Sequence, residues 1–339
     1  MQLSCSLTIT LACSSLYLAN AFMHAFFFSK HNPAKRPGQQ TVLILISRMS
    51  FGLPTSALVC FWLALWICFW EMARAPLWKP RNSPLAIDNY GCVEMCGGGF
   101  RTWYHLGVYW GLYDRFGKDG MSTMRFSGSS VGALVATVAA CGVHPADIWA
   151  HIPAIANSYR ETFLSHVTGV GQFCRFLLHS TLPPDAHLLV NGRLFISVSS
   201  LFPTPFNRII SEFDSRQDLI DAVIAAQYIP TWTYPGICFY RGMICVDGGV
   251  TNNLPNICVH SLRVGLDKDD TFTWNADFVP SQPLSRLNTF IPAQEASLQR
   301  MLDCGKDDIN DWLNTCRGIS FIQELSAVWK SCQNTCSLK

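Results

Sequence analysis

Between residues 125 and 142 the chain reads RFSGSSVGALVATVAACG, and the five residues Gly128-Ser129-Ser130-Val131-Gly132 constrain the fold more than any other stretch. They fit G-x-S-x-G, in which glycines two before and two after the serine remove the Cβ atoms that would clash in a sharp strand-to-helix turn. The flanks suit that turn: STMRFSG reads as a strand, and SVGALVATVAACG reads as a helix closing on Gly142. A serine at such a corner stands at a helix N-terminus, where backbone N–H groups and the helix dipole favour a developing negative charge. Alone, the motif leaves two readings open. Ser130 is either a nucleophile or a small residue that lets a helix start close to a sheet.

The same strand-then-helix logic repeats on both sides. GCVEMC is a short apolar run suited to a buried strand; Gly97-Gly98-Gly99 follow as a turn, and TWYHLGVYWGLYDRF has a helical pattern. HPADIWAHIPAIANSY reads as one helix with Pro145 in its first turn. RLFISVSSL alternates as a strand, and FDSRQDLIDAVIAAQYIP reads as a helix capped by Ser215 with Asp218 and stopped before Pro230. ICFYRGMICVDGG predicts two short strands joined by a tight turn at Arg241-Gly242. Residues 293–315 predict a covering helix. Strands alternating with helices imply an α/β layered domain.

The first 74 residues differ in character. Residues 3–28 and 51–70 contain no Lys, Arg, Asp or Glu, and the second stretch, with Trp62, Trp66 and Trp70, has bilayer-spanning length. The first reads equally as a membrane segment or as a cleaved signal or transit peptide, because Ala19-Asn20-Ala21 has a small-x-small cleavage pattern but no positive region precedes it. Basic residues lie on both sides of the second stretch, Lys30, Lys35, Arg36 and Arg48 before it and Arg74, Lys79 and Arg81 after it, so orientation stays open. Residues 75–90 read as a linker, 91–315 as the globular domain and 316–339 as a C-terminal tail.

Composition narrows the function classes. The net charge of +2, without a long run of like charges, carries no electrostatic footprint for nucleic acid. Fifteen cysteines, none in a C-x-x-C pair, suggest neither a zinc site nor a disulfide framework; mostly reduced, buried thiols are expected. No metal and no cofactor is called for, and Leu266-Asp267-Lys268-Asp269-Asp270 lacks the glycine and spacing of a calcium loop.

Two further pieces could serve chemistry at Ser130. The loop Gly97-Gly98-Gly99 can present successive N–H groups to an anion, but lacks the lysine of a nucleotide-binding P-loop. Arg101 just beyond it is either a helix-start residue or a contact for an anionic head group. Asp247-Gly248-Gly249 stands after the strand-like MICV, where the aspartate can point into the same crevice as Ser130. A serine hydroxyl needs a neighbour to take its proton. In the chain order Ser, Asp, His only His260 follows Asp247; His105 and His144 read as packing or capping residues. A Ser–Asp pair would require burial to raise the carboxylate from its ordinary pKa of ~3.9.

With these pieces in order, GGGFRTWYHLGV, GSSVGALVA and DGGVTNNLP resemble the glycine loop, G-x-S-x-G and D-G-G of the patatin-like phospholipase family. LPPDAHLLVNGRLFISVS and SEFDSRQDLIDAVIAAQYIP resemble its animal-type branch, and the likeness runs over about residues 90–315. The resemblance implies a three-layer α/β/α domain preceded by N-terminal membrane segments, with Ser130 as nucleophile and Asp247 as base in a dyad without histidine. It implies an oxyanion hole at Gly97, Gly98, Gly99 and Val131, shaped with Gly128, Gly132, Gly248 and Gly249. It also implies hydrolysis of glycerolipid carboxylic esters, of triacylglycerol or phospholipid type, without a cofactor. The expected partner is a membrane or lipid droplet, at the endoplasmic reticulum or, if the N-terminus is a presequence, in a plastid. Alternatives are acyl-CoA-independent acyl transfer at the same site and a catalytically silent membrane or droplet adaptor. Arg101-Thr102-Trp103 departs from the small or apolar residues usual in the branch, which bears on head-group and acyl preference.

Overall fold

A computed structural model describes residues 91–161, 170–202, 205–230, 232–233, 237–258, 261–267 and 276–336. The expected membrane segments at 3–28 and 51–70 and the linker at 75–90 lie outside these residues. Among the described residues no helix is long and apolar enough to cross a membrane.

The described chain begins with β1 (Cys92–Met95), passes the glycine loop and a 3-10 turn (Gly99–Thr102), and enters α1 (Trp103–Thr123). β2 (Arg125–Ser129) runs straight into α2 (Val131–Ala140), followed by α3 (Pro145–Trp149), α4 (Ile152–Glu161), α5 (Val170–Thr181) and α6 (Ala186–Val190). Then come β3 (Leu194–Phe202), β4 (Phe206–Ile210), α7 (Arg216–Ala226), β5 (Cys238–Tyr240), β6 (Met243–Asp247), α8 (Gly249–Asn252) and β7 (Ser261–Val264). The described chain closes with α9 (Glu295–Leu313) and α10 (Cys316–Cys336), so most of the expected tail is helical.

Local chemistry sets several of these boundaries, some differently from expectation. Ser122 and Thr123 finish α1 rather than starting β2, and Gly117, at φ 66°, breaks α1 internally. The single helix expected over 144–159 is two, because Pro153, at the start of α4, has no N–H to continue a hydrogen-bonded ladder from the preceding turn. Three details match expectation. The Asp218 N–H donates to Ser215 Oγ at 3.1 Å as the N-cap of α7. Gly142 follows α2 at φ 63°. Arg241 and Gly242 form the turn between β5 and β6 with positive φ angles.

The seven strands form one mixed sheet. β1 pairs in parallel with β2 and β7, and β2 in parallel with β3. β3 pairs antiparallel with β4 and β6. Val93, Met95, Phe126, Leu194, Ile196 and Val198 share one face, which merges with buried residues of α1, α2, α7 and α9 into the main core. On the opposite face Cys92 and Phe195 pack with Ile257 and Cys258. Burying one such large apolar side chain contributes roughly 1.5–3 kcal/mol.

α9 lies against α1 through glycines. A Cβ on Gly107 would collide with the Leu302 carbonyl, and one on Gly305 with the Tyr104 carbonyl. The expected covering helix is therefore a tightly docked layer of the core.

One expectation about cysteine is corrected. Cys92 and Cys258 form a disulfide with Cα atoms 6.3 Å apart, across 166 residues. Cys92 pairs in register with Ser261 of β7, so the chain entering β7 brings Cys258 back to β1. That parallel pairing is long-range, and no cysteine spacing announces it. Cys141, Cys174, Cys238, Cys245, Cys304 and Cys316 are free thiols.

Sheet register also decides what meets Ser130. Ser197 pairs with both Ser129 of β2 and Ile209 of β4, whereas Val198 and Ser199 pair with β4 and with Asp247 and Val246 of β6. Since β4 occupies one edge of β3, β2 and β6 share the other, and their C-terminal ends point at each other. Ser130 and Asp247 meet at that junction.

Candidate functional site

Ser130 sits at the corner between β2 and α2 with φ 53° and ψ −134°. This is a positive φ on a residue with a Cβ, a conformation that stores strain of order 1–3 kcal/mol and that surrounding structure must hold. Gly128 and Gly132 allow it. A Cβ at Gly128 would lie 2.5 Å from the Ala133 nitrogen, and one at Gly132 would lie 2.5 Å from the Cys96 carbonyl oxygen. The G-x-S-x-G pattern is thus a packing requirement of this corner, and it places Ser130 at the first turn of α2.

Asp247 ends β6 and faces that corner. Ser130 Oγ donates to Asp247 Oδ2 at 2.6 Å, and the Gly249 N–H donates to Asp247 Oδ1 at 2.8 Å. Both side chains are almost inaccessible, at 7 % and 6 % exposure. Burial pushes the Asp247 carboxyl up to about 6, while the bonds from Ser130 and Gly249 oppose part of that rise. At neutral pH such a group is ionised yet more basic than a surface aspartate.

Gly248 and Gly249 are as constrained as the elbow glycines. A Cβ on Gly248 would strike the Ser197 carbonyl, and one on Gly249 would lie 2.7 Å from Asn253 Oδ1 and 3.0 Å from Asp247 Oδ1.

The glycine loop closes the third side. A Cβ on Gly97 would lie 2.6 Å from Ser130 Cβ, so the backbone of this loop approaches the serine directly. The Gly97 N–H donates to Asn253 Oδ1 at 3.0 Å. Gly97 is therefore tied to the segment that carries Asp247, leaving Gly98 and Gly99 with Val131 as the amides to weigh for an oxyanion. Gly99 has φ 59° and packs against the Thr289 carbonyl.

Asn253 is the residue that sequence reasoning missed. Its signal lay in the asparagines after the D-G-G turn, but only the fold shows one of them reaching 156 positions back to the loop.

The histidines take structural places. His105 is fully buried, its Nε2 lies 3.0 Å from the Cys96 carbonyl oxygen, and burial holds its pKa down at about 3. His144 caps α3, its Nδ1 accepting from the Ala146 N–H at 3.1 Å. His260 lies outside the described residues, and among those described no imidazole bonds Ser130 or Asp247. No group of three or more His, Cys, Asp or Glu side chains among the described residues is arranged to hold a metal.

Beyond the loop, Phe100 joins an aromatic cluster, its ring centroid 5.1 Å from Tyr159 and 6.1 Å from Trp232. Arg101 is 8 % exposed, and its Nε and Nη1 find no hydrogen-bond partner among the described residues.

Fold and site together define a class: an α/β protein whose elbow serine meets a buried carboxylate at a strand–strand junction. Comparison with known proteins places it within that class. Residues 95–256 match the family model of the patatin-like phospholipases. Patatin-like phospholipase domain-containing protein 4 of Homo sapiens is 29 % identical over 238 residues, 62 % of this chain and 91 % of that protein. Patatin-like phospholipase domain-containing protein 2 of Mus musculus is 33 % identical over 181 residues, 52 % of this chain and 35 % of that protein. An omega-hydroxyceramide transacylase of Homo sapiens is 29 % identical over 173 residues, 50 % of this chain and 32 % of that protein. The chain thus spans about a third of the length of the last two. Residues 95–256 thus carry a match to a patatin-like phospholipase domain, and the relatives that the chain resembles are animal proteins with that domain.

Proposed function

We propose that the protein is a serine lipid acyl hydrolase that cleaves carboxylic esters of glycerolipids through an acyl-enzyme. Ser130 Oγ attacks the ester carbonyl carbon while Asp247 Oδ2 takes its proton. The carbonyl oxygen, now an anion, rests against the amides of Gly98, Gly99 and Val131 at the N-terminus of α2. Collapse expels the glycerolipid alkoxide, which recovers the proton from Asp247. Water, deprotonated by Asp247, then attacks the acyl-enzyme; the Ser130–acyl bond breaks, the fatty acid leaves, and Asp247 returns the proton to Ser130 Oγ. In this reading Gly97 contributes by anchoring the loop to Asn253, and Gly128, Gly132, Gly248 and Gly249 let the three segments close on one another. The scaffold is the three-layer α/β/α patatin-like domain of residues 91–315.

The observation that carries the proposal is the 2.6 Å bond from Ser130 Oγ to a buried carboxylate. Burial makes the aspartate basic enough to accept a proton, so no histidine is needed. The hydrophobic stretches 3–28 and 51–70 would hold the site beside a membrane or droplet surface. Similarity to a transacylase favours one second reading, in which a lipid alcohol replaces water at the acyl-enzyme. A silent adaptor role is disfavoured because the Ser130–Asp247 pair is intact.

The test is a lipid panel and fluorophosphonate labelling of wild type, Ser130→Ala, Asp247→Asn and His260→Ala. Loss of activity in the first two, with His260→Ala unaffected, is expected. An active Asp247→Asn, or an inactive His260→Ala that still folds, refutes the dyad. Product analysis with and without an added acceptor alcohol separates hydrolysis from transfer.

A further inference from the structure

The 3-10 turn Arg286–Thr289 and the two residues after it form a short apolar prong at the rim of the candidate site. Leu284 before it and Ala293 after it pack into the main core, and Phe290 turns inward onto Trp232, their ring centroids 5.8 Å apart. Trp232 in turn meets Phe100 just beyond the glycine loop, and the Thr289 carbonyl lies against Gly99. The prong is therefore rooted in the fold, beside one of the amides proposed to hold the oxyanion.

Its tip faces outward. Leu287 is 74 % exposed and Ile291 45 %. A single exposed leucine is ordinary on a protein surface, but these two aliphatic side chains stand four positions apart on one hydrogen-bonded turn. The backbone of that turn is already satisfied. The Phe290 and Ile291 N–H groups both donate to the Leu287 carbonyl at 3.1 Å, the Asn288 N–H donates to the Ser285 carbonyl at 3.0 Å, and Asn288 Nδ2 donates to the Ile291 carbonyl at 3.1 Å. Arg286 is the sole charged residue between 284 and 294, and its Nε donates to Asp267 Oδ2 at 2.8 Å. Polar groups bonded within the protein cost little to move out of water, which is what a lipid phase demands of any segment that enters it. Two side chains fall far short of the roughly 800 Å² that each side of a stable protein interface buries, so the prong suits a lipid surface better than a second chain.

We infer that Leu287 and Ile291 insert into a lipid surface and dock the mouth of the Ser130 site on it. This rests on the hydrolase reading, since it sets the surface that carries the ester against the rim of the site. Full-length protein is reconstituted in vesicles of an ether-linked phosphatidylcholine, which has no carboxylic ester of its own. It is given p-nitrophenyl butyrate dissolved in water or p-nitrophenyl oleate carried in the bilayer. The double variant Leu287→Ser, Ile291→Ser keeps kcat/KM on the dissolved ester within about twofold and loses at least about tenfold on the bilayer ester, while Leu287→Met, Ile291→Leu keeps both. If the serine variant loses both activities alike, or neither, the inference is overturned.

A second measurement does not depend on turnover. In a Ser130→Ala background, p-benzoylphenylalanine in place of Leu287 attaches to vesicle lipid on irradiation, and far more than the same group in place of the exposed Asp303 on α9. Attachment to a second copy of the chain, or no more lipid at 287 than at 303, overturns the docking. If wild type cleaves neither ester and resists the fluorophosphonate, the hydrolase reading fails, and the crosslink still decides whether the prong meets lipid.

Discussion

Replacing Asp247 by asparagine separates stability from chemistry, and its pH dependence follows from the site. In the folded protein burial raises this carboxyl from 3.8 to about 6. A carboxyl whose folded pKa lies above its unfolded value binds its proton more tightly when folded. Stability is therefore present at low pH and is lost as pH rises from about 4 to about 6. A shift of about two units, at 1.36 kcal/mol each, amounts to about 3 kcal/mol above pH 7. Asparagine keeps the shape and an acceptor for the Gly249 N–H, but never ionises. The stability of Asp247→Asn relative to wild type should then grow by about 3 kcal/mol between pH 4 and pH 7 and stay flat beyond. For a domain of this size that is a relative rise in melting temperature of roughly 6–10 °C. Burial likewise raises Glu94, to about 7, but it titrates in both proteins and cancels in the difference. Paired thermal melts across pH 4–8 measure the effect. A difference that is independent of pH, or that shrinks as pH rises, would refute the account of Asp247 as a buried, destabilised carboxylate. Wild-type kcat/KM should rise through about pH 6 to a plateau as the base ionises, and the variant should show no such rise.

Other consequences can be measured directly. Asn253→Ala removes the acceptor of the Gly97 N–H, and kcat should fall about tenfold with little change in KM, as expected for a half-buried bond worth about 1–1.5 kcal/mol; steady-state kinetics check it, and a change confined to KM would contradict a loop-positioning role. Cys258→Ser opens a loop closed across 166 residues, and the variant should lose about 2–5 kcal/mol by chain entropy, read as a denaturant midpoint shift. Gly305→Val drives a branched side chain into the Tyr104 carbonyl of α1, so a loss of about 3 kcal/mol or more is expected in thermal melts, whereas an exposed substitution on α9 such as Asp303→Ala should stay within about 0.5 kcal/mol.

Much of this architecture was legible in the residues because it is local. The elbow follows from Gly128, Ser130 and Gly132, whose backbone demands are confined to five positions. The cap of α7 by Ser215 and the turn at Arg241-Gly242 have the same origin, as does a helix stop before Pro230, which falls at Ala226. Boundaries were less legible where propensities were shared. Met121 to Thr123 suit either a helix end or a strand start, and packing of Met121 into the core decided for the helix. Pro153 could open a second helix or bend one, and the break at His151 depended on what surrounds it. β4 went unread because FNRII is short and alternates poorly.

The candidate site divides along the same line. Sequence alone determined which residue types were available: a serine between glycines, a glycine loop before it, and an aspartate before two glycines. It also determined that each sits at a chain reversal, since backbone freedom at glycine is written residue by residue. Only the tertiary structure decided that Ser130 and Asp247 meet, because that depends on β2 and β6 sharing one edge of β3 end to end, a register no local pattern encodes. The same long-range pairing decided that Asn253 ties down Gly97 and that Cys92 finds Cys258. Burial, which raises the basicity of Asp247 and lowers that of His105, is a property of everything packed around a side chain rather than of the residue itself.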